Sequence, residues 1–416
     1  MQSFDPLVSL SVPQTRSTTT TALTFLGSPP AAADDDDDSD SDSDSDDSSI
    51  ALACQAILQL QQDDTDYCSW NTDDDSPARR SNWLASGHAN GDCWLWDVRH
   101  RAVLRPLLQE EEQPILTEDA TSRSSILALE SLQKDDSILV QRRNGTLDVV
   151  AVATGQAMTH HLERSTTTFC AVAPCREKDH DHLLAVPGGR DCAVHLVDWR
   201  QPSGGIAQVV PIPSRQNDMV TSLAFPSSHV VCVGMDSGQL HCCDMRGTTS
   251  TSSIQLGQEP ILSLDCSTTE TNNNDLILLA GLAGNAHDLA ETADPADRGR
   301  VVVVTRSSSG ALAIRSRIAT THNDSYYYKS NRAGVAVVRF RPHTTNTIGS
   351  IFGVGGWDHR LRIYELSSSS PTALTARPRA VLRGHRDSIT AMAWERTTGL
   401  LATACAEGPV LIWNVR

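Results

Sequence analysis

Short segments in which apolar and polar residues alternate recur along most of the chain. SILALESL (125–132), MVTSLAFP (219–226), GVAVVRFRP (334–342) and SITAMAWE (388–395) are clear examples. Alternation with a period of two, rich in β-branched residues and bounded by turn residues, is typical of half-buried β-strands. The pattern therefore predicts many short strands.

A second pattern follows each of these strands. An apolar strand ends in small residues, a polar turn follows, and the next strand ends in Trp-Asp or a related pair, most clearly in residues 82–108. The pairs Asn90-Gly91 and Asn144-Gly145 suit type I′ turns, which require a positive φ at both central positions. Repeats of this kind, at intervals of a few tens of residues, indicate an all-β, seven-bladed WD-repeat β-propeller. The predicted blades lie near residues 82–108, 125–158, 167–200, 219–247, 260–306, 334–366 and 388–416.

The last repeat has the fullest signature. Gly384-His385 stands 28 residues before Trp413, and this spacing matches a WD repeat. In such blades a His, a strand Ser or Thr and the Trp form a buried network with an Asp of a turn. We expect His385, Thr403 and Trp413 to form it here. Glu407 occupies the position at which Asp is expected.

The N-terminal third contains the main interruption of the pattern. Within residues 1–26, residues 5–10 are expected to close the ring against the last blade. Residues 19–26 are expected to form the first strand of blade 1, with residues 50–60 as the alternative. Residues 27–81 form an acidic, low-complexity insertion that cannot bury enough apolar surface to offset its ordering entropy, so we expect disorder there. Residues 82–416 form the rest of the propeller.

Charge and cysteine content narrow the function classes. The net charge is −17, and the run DDDDDSDSDSDSDD (34–47) contributes ten Asp to it. An acidic surface does not attract phosphate backbones, which disfavours direct nucleic-acid binding. The 11 cysteines are scattered without a C-x-x-C pair, and the chain starts without a secretory signal or a membrane-length apolar stretch. We therefore expect reduced thiols in the nucleus and cytoplasm.

The acidic run has two interpretations. It is either a solvated, self-repelling loop or an interaction segment controlled by phosphorylation. Ser39, Ser41 and Ser43 each precede an Asp by three residues, a pattern that acidophilic kinases favour. A phosphate there would add charge and could dock the loop on a group of arginines.

The sequence offers no catalytic motif. It lacks a G-x-x-x-x-G-K-[ST] loop, a G-x-S-x-G elbow and an H-E-x-x-H pair, and none of its three Lys lies in a phosphate-binding loop. His180-Asp181-His182 either binds a metal or is part of a solvated loop, and we favour the solvated loop. We predict a protein that is not an enzyme, with no cofactor and no metal site.

Three strand ends share the pattern W/V/C-D-x-R, and it ends at Arg99, Arg200 and Arg246. One interpretation is a turn in which the arginine caps the strand end. The other is that the pattern resembles the WDxR element of substrate receptors for cullin–RING ubiquitin ligases, in which the arginine faces an adaptor protein.

The most specific segment is IFGVGGWDHRLRIYEL (351–366), whose Trp-Asp lies in a turn rather than at a strand end. It resembles the penultimate blade of the ASTRA-associated protein 1 family, whose animal members are called guanine-nucleotide-binding protein β-subunit-like protein 1. LLAVPGGRD (183–191) and EPILSLDC (259–266) support the resemblance. The acidic insertion and the inserted 284–300 stretch depart from the family pattern.

The resemblance implies a non-catalytic scaffold, a monomer within a larger complex. It implies partnership with the Tel2–Tti1–Tti2 co-chaperone, with the large phosphatidylinositol-3-kinase-related kinases that this co-chaperone matures, and with the chromatin-linked ASTRA assembly. Trp357, Asp358, His359 and Arg360 are the candidate partner-binding residues. Alternatively, Asp358 caps the turn while Trp357 packs between blades. A G-protein β-like role ranks lower, because it needs heptads before the ring and residues 1–50 offer Thr, Asp and Ser instead.

Overall fold

The structure is a computed structural model in which part of the chain is described. The described residues are 2–4, 8–10, 20–25, 83–107, 124–132, 137–152, 154–161, 169–180, 182–188, 192–201, 205–213, 218–246, 250–268, 276–284, 299–320, 334–342, 350–370, 373–395, 398–406 and 409–415. The predicted insertion 27–81, with Ser39, Ser41 and Ser43, lies outside them, as does most of the 284–300 stretch.

The described strands form seven sheets, antiparallel except for one added parallel strand, and these are the seven predicted blades. Each blade is given from its innermost to its outermost strand. Blade 1 contains β3 (Thr20–Phe25), β4 (Trp83–His88), β5 (Cys93–Asp97) and β6 (Ala102–Pro106). Blade 2 contains β7 (Ile126–Leu132), β8 (Ser137–Arg142), β9 (Thr146–Ala151) and β10 (Ala157–His161). Blade 3 contains β11 (Ala173–Pro174), β12 (Leu183–Pro187), β13 (Ala193–Asp198) and β14 (Ile206–Pro211).

The remaining four blades follow the same order. Blade 4 contains β15 (Val220–Ser227), β16 (Val230–Met235), β17 (Gln239–Asp244) and β18 (Ser250–Gln255). Blade 5 contains β19 (Ile261–Thr268), β20 (Leu276–Leu282), β21 (Gly299–Arg306) and β22 (Leu312–Ala319). Blade 6 contains β23 (Val335–Phe340), β24 (Ile351–Gly356), β25 (Leu361–Ser370), β26 (Ala373–Leu382) and the added strand β1 (Gln2–Phe4). Blade 7 contains β27 (Ile389–Trp394), β28 (Leu400–Cys405), β29 (Val410–Asn414) and β2 (Val8–Leu10).

The N-terminal strands close the ring. β2 pairs antiparallel with β29, placing Val8 opposite Ile412, and so supplies the outer strand of blade 7. β1 pairs parallel with β26, placing Gln2 opposite Ala380, and adds a fifth strand to blade 6. β3 then forms the innermost strand of blade 1; the alternative segment for this role, 50–60, is not among the described residues. One short stretch of chain therefore ties three successive blades together and covers open strand edges.

The core lies between neighbouring blades. Each blade presents apolar side chains on both faces, as in the interface where Val194 and Leu196 of blade 3 pack with Val231 and Val233 of blade 4. This burial is the main favourable contribution to folding, at about 25 cal/mol per Å² of apolar surface. Stability is therefore distributed around the ring.

The antiparallel order gives the ring two distinct rims. Turns between second and third strands lie on one rim with the connections between blades, and we call this the upper rim. The other turns within each blade lie on the opposite, lower rim. On the upper rim, neighbouring blades are joined by hydrogen bonds, for example from Ser125 Oγ to the carbonyl of Ala89 at 2.6 Å.

Most of the fourth strands of the blades were not predicted from the sequence. The predicted ranges of blades 3 to 6 end before β14, β18, β22 and β26, and the fifth strand of blade 6 was not expected at all. The reason is visible in β14, where residues 206–209 are all exposed. A strand whose side chains are mostly exposed lacks the apolar pattern that identifies an inner strand. Within the described residues, no helix is long and apolar enough to cross a membrane.

Candidate functional site

The segment 357–360 is the turn between β24 and β25 on the upper rim of blade 6. Turns of the same length in blades 1, 2 and 4 place glycine at the left-handed position, with φ of 85° at Gly91, 86° at Gly145 and 75° at Gly238. Blade 6 places His359 there, with φ of 65°. A side chain in this conformation costs about 1–2 kcal/mol relative to the right-handed one. This turn therefore keeps a side chain where the other three have none.

His359 bridges two blades. Its Nδ1 lies 2.5 Å from the backbone carbonyl of Arg386, in the connection that leads to blade 7. Because a carbonyl only accepts, Nδ1 is the donor. The His359 side chain therefore fixes the turn against the next blade and offsets part of its own backbone strain.

Asp358 holds the turn from below. Its Oδ1 accepts a hydrogen bond from Nη1 of Arg362 at 3.0 Å, and its Oδ2 accepts one from Nη2 at 2.5 Å. Arg362 is only 1% exposed, so Asp358 compensates a charge buried in the blade. Oδ1 also lies 3.4 Å from the backbone N–H of Arg360. Asp358 thus acts as the cap of its turn.

Trp357 packs on its own blade. A Cβ atom added at Gly334 would lie 2.5 Å from Cε3 of Trp357, so glycine is required beneath the indole. The backbone N–H of Trp357 donates to the carbonyl of Gly334 at 3.0 Å, and Ser388 Oγ donates to the carbonyl of Trp357 at 3.3 Å. Trp357, His359 and Arg360 all remain half-buried at the rim. The turn is therefore held by contacts with its own and the next blade, while parts of these three side chains remain accessible to solvent.

The three residues of the expected network in blade 7 come together. Nε1 of Trp413 donates to Oγ1 of Thr403 at 2.7 Å, and Nε2 of His385 lies 2.7 Å from the same oxygen. Burial is the main cause that lowers the pKa of His385 to about 4, and the nearby His359 adds to it. The Nδ1 atom of His385 has no hydrogen-bond partner among the described residues. Glu407, the substitute for the usual Asp, lies outside them.

Blade 1 contains a similar network that sequence reasoning missed. Nε1 of Trp96 donates to Oγ of Ser86 at 2.8 Å, and Nε2 of His88 lies 3.0 Å from that hydroxyl. Burial lowers the pKa of His88 to about 4. The histidine comes here from the second strand instead of the connection between blades. The available signal was Ser86-Gly87-His88, ten residues before the tryptophan.

The arginines of the W/V/C-D-x-R pattern lie on the lower rim. Arg200 folds back on Asp198, with Nε and Nη2 at 3.1 and 2.9 Å from its oxygens, and this contact lowers the pKa of Asp198. Arg246 lies 3.4 Å from Asp244. Arg99 is exposed, because His100 occupies the carboxylate of Asp97 through Nδ1 at 2.7 Å. Two of the three arginines therefore cap their own turns.

Four charged residues, also missed from the sequence, meet in the central channel. Arg339 of blade 6 donates to Glu130 of blade 2 at 3.0 Å and lies 3.8 Å from Asp265 of blade 5. Arg176 of blade 3 also pairs with Asp265. Two cations and two anions compensate one another across the ring, so this network is a structural link between blades.

The described residues contain no group of three or more His, Cys, Asp or Glu side chains arranged to hold a metal ion. The rings of His180 and His182 lie 5.8 Å apart, and Asp181 between them is outside the described part of the chain. The nine cysteines in the described ranges are free thiols.

Comparison with known proteins agrees with this architecture. The family described as WD domain, G-beta repeat matches residues 376–414, which include His385, Thr403 and Trp413. Guanine nucleotide-binding protein subunit beta-like protein 1 from Mus musculus is 20% identical over 347 residues, covering 82% of this chain and 90% of the mouse protein.

Solved structures show the same fold. A chain in the crystal structure of the mitotic checkpoint complex superposes with a TM-score of 0.56 at 14% identity, covering 80% of this chain and 84% of that one. The β-propeller domain of Cps50 (Swd1) from Myceliophteria thermophila superposes with a TM-score of 0.51 at 17% identity, covering 81% and 95%. At these identities the likeness concerns the fold alone. The chain therefore contains a WD repeat at residues 376–414 within a seven-bladed propeller, and it is similar to the mouse guanine nucleotide-binding protein subunit beta-like protein 1 along most of its length.

Proposed function

We propose that this WD-repeat scaffold acts, without catalysis, in the maturation of phosphatidylinositol-3-kinase-related kinases with a Tel2–Tti1–Tti2-type co-chaperone. We place it in the nucleus and cytoplasm, where it also joins an ASTRA-type chromatin-associated assembly. The similarity to the mouse β-subunit-like protein supports an interaction scaffold of this family. The specific partners follow from the resemblance of residues 351–366 to that family.

One observation carries the choice of site. His359 occupies a left-handed position that glycine fills in three equivalent turns. A strained conformation persists only where surrounding contacts enforce it, and such positions are concentrated at binding and active sites. Here the enforcing contacts are the Asp358–Arg362 ion pair and the hydrogen bond to Arg386.

The turn has the properties of a binding hot spot. Tryptophan and arginine dominate the energetics of protein interfaces, and Trp357 and Arg360 belong to the same turn, where both are half-buried. The ion pair and the packing on Gly334 hold the turn in one conformation, so a partner loses little conformational entropy on ordering it.

The test is affinity purification of the tagged full-length protein from its own cells, followed by quantitative mass spectrometry. We expect the Tel2–Tti1–Tti2 components with the wild type and their loss with Trp357→Ala/Arg360→Ala. The matched control is Arg377→Ala/Arg379→Ala, which removes two exposed arginines from strand β26 of the same blade. Thermal unfolding of each variant distinguishes lost binding from lost folding. Recovery of these components with both variants would contradict the proposed site.

A second candidate function rests on Arg99. Its guanidinium is exposed and makes no hydrogen bond or ion pair with the described residues, unlike Arg200. This leaves one arginine of the pattern available to an adaptor of a cullin–RING ligase. Recovery of such an adaptor with the wild type and its loss with Arg99→Ala/Arg200→Ala, in the absence of co-chaperone components, would favour the ligase receptor.

A further inference from the structure

A group of basic side chains surrounds the candidate turn, and we call it the basic rim patch. It consists of His359 and Arg360 in the turn and of Arg383 and Arg386 in the connection from blade 6 to blade 7. The bond from His359 to the carbonyl of Arg386 joins the two segments. Arg383 and Arg386 are both exposed, whereas His359 and Arg360 are half-buried.

The patch has an excess of positive charge. The charge of Asp358 is neutralised by the buried Arg362, so it does not compensate the arginines above it. Asp387 is the remaining carboxylate in these two segments, and its Oδ1 accepts the backbone N–H of Ser388 at 2.6 Å. This local excess of cations stands out in a chain whose net charge is −17.

Three exposed arginines elsewhere in the molecule have carboxylate partners, whereas Arg99 of the lower rim forms no ion pair with a described residue. Arg200 pairs with Asp198 at 2.9 Å, Arg246 with Asp244 at 3.4 Å and Arg379 with Glu365 at 3.5 Å. Arg383 and Arg386 form no ion pair with a described residue. Two guanidinium groups three residues apart on a fixed connection are therefore available to an incoming anion.

We propose that the basic rim patch binds an acidic, extended segment of a partner protein, rich in Asp, Glu or phosphorylated Ser. The proposal rests on the binding role proposed above for the turn and specifies the chemistry of its partner. Guanidinium groups match carboxylate and phosphate oxygens in a bidentate geometry, and such bonds are stronger than those between neutral groups. Trp357 at the edge supplies an apolar contact for a residue that interrupts the acidic segment.

A defined probe tests this chemistry. We would measure the fluorescence anisotropy of a short labelled peptide of alternating Glu and Ser, titrated with the full-length protein, beside a peptide in which Gln replaces each Glu. We expect binding of the Glu peptide alone, with an affinity that falls as salt screens the charges. Arg383→Glu/Arg386→Glu should weaken this binding by roughly tenfold or more.

The matched control is Arg101→Glu/Arg143→Glu, which makes the same charge change with exposed arginines of blades 1 and 2 and should leave the affinity within about twofold. Equal binding of both peptides, or equal losses for both charge reversals, would overturn the proposal. So would stronger binding of anionic lipid vesicles or of single-stranded RNA than of the peptide at the same sites. If the peptide fails to bind while Trp357→Ala/Arg360→Ala still loses the co-chaperone, the site stands and its proposed chemistry is wrong.

Discussion

Blade 4 and blade 6 have turns of equal length between their second and third strands, but they place different residues at the left-handed position. Their registers correspond, since Gly234 pairs with Leu240 in blade 4 as Gly355 pairs with Leu361 in blade 6. Two residues after the paired glycine, blade 4 has Asp236 where blade 6 has Trp357. Blade 4 then places Gly238 at the left-handed position, which glycine adopts without strain because it has no side chain. Blade 6 places His359 there and retains the strain.

The third strands differ in a related way. His241 of blade 4 and Arg362 of blade 6 occupy equivalent positions, and each is only 1% exposed. Arg362 is paired with Asp358, whereas neither nitrogen of His241 has a hydrogen-bond partner among the described residues. A buried cation requires a counter-charge from its turn, while a buried imidazole is tolerated only because it stays neutral. The turn sequence therefore decides which polar residue the strand can bury.

Lowering the pH should have the largest effect, because it destabilises the blades that bury a neutral histidine. Burial lowers the pKa of His88 and His385 to about 4 and also lowers that of His241, while Asp218 partly opposes the shift of His241. Between about pH 6.5 and 4, these histidines bind more protons in the unfolded state than in the folded state. The free energy of unfolding therefore decreases as the pH is lowered through that window. Each unit of pKa shift corresponds to about 1.4 kcal/mol. Urea unfolding at a series of pH values should show a loss of several kcal/mol, and a flat profile would contradict it.

Removing the counter-charge in blade 6 should have the next largest effect. Asp358→Ala leaves Arg362 buried without its partner, and breaking a buried pair in this way costs roughly 3–5 kcal/mol. We expect the low end, because Asp358 is 29% exposed and water can partly replace it. Ser237→Ala, at the equivalent position of blade 4, removes a single hydrogen bond to Asp218 and should cost about 1 kcal/mol. Equal losses in urea unfolding would contradict the comparison.

Blade 7 can be changed toward the arrangement of blade 4. Val233 occupies the position of Thr403, and Cys243 that of Trp413. Thr403→Val leaves Nε1 of Trp413 and Nε2 of His385 without their shared partner, which should cost about 1–3 kcal/mol. Thermal unfolding would show the loss, and Thr403→Ser, which retains the hydroxyl, is the control.

His241→Leu should have a smaller and opposite effect. Leucine occupies the equivalent position of blade 7, at Leu411, where it is buried in the core. Removing an unpartnered polar group from an apolar site should stabilise the protein by about 1 kcal/mol at neutral pH. The gain should increase below about pH 6.5, because the unfolded variant no longer takes up a proton at this position. Destabilisation in urea unfolding at neutral pH would show that the imidazole has an unrecognised partner.

The sequence predicted the inner part of each blade better than its periphery. Segments such as SITAMAWE were identified because the apolar residues of an inner strand are mostly buried, as in β27, and the spacing from Gly384-His385 to Trp413 located the network of blade 7. β14 and β26 were not predicted because many of their side chains are exposed, so neither strand shows a clear apolar pattern. The salt bridge between Arg339 and Glu130 joins residues 209 positions apart, so no local pattern indicates it.

The residues of the candidate site were named from the sequence, but the conformation of the turn and its contact with the next blade were not predicted. Trp357 to Arg360 were singled out by the resemblance of residues 351–366 to a known family, and the alternative was that Asp358 caps the turn. The positive φ of His359 and its bond to the next blade depend on the three-dimensional register of two blades. A sequence pattern does not encode either feature.

His359→Gly tests the central claim, that blade 6 keeps a strained side chain at its rim in order to bind. Glycine suits this backbone, as at Gly238, so relief of about 1 kcal/mol of strain should offset the lost bond to Arg386 and leave the melting temperature nearly unchanged. The measurement is the amount of Tel2–Tti1–Tti2 components that co-purify with this variant relative to wild type. We predict a folded protein that has lost most of them; a folded variant that retains them in full would show that the turn is structural only.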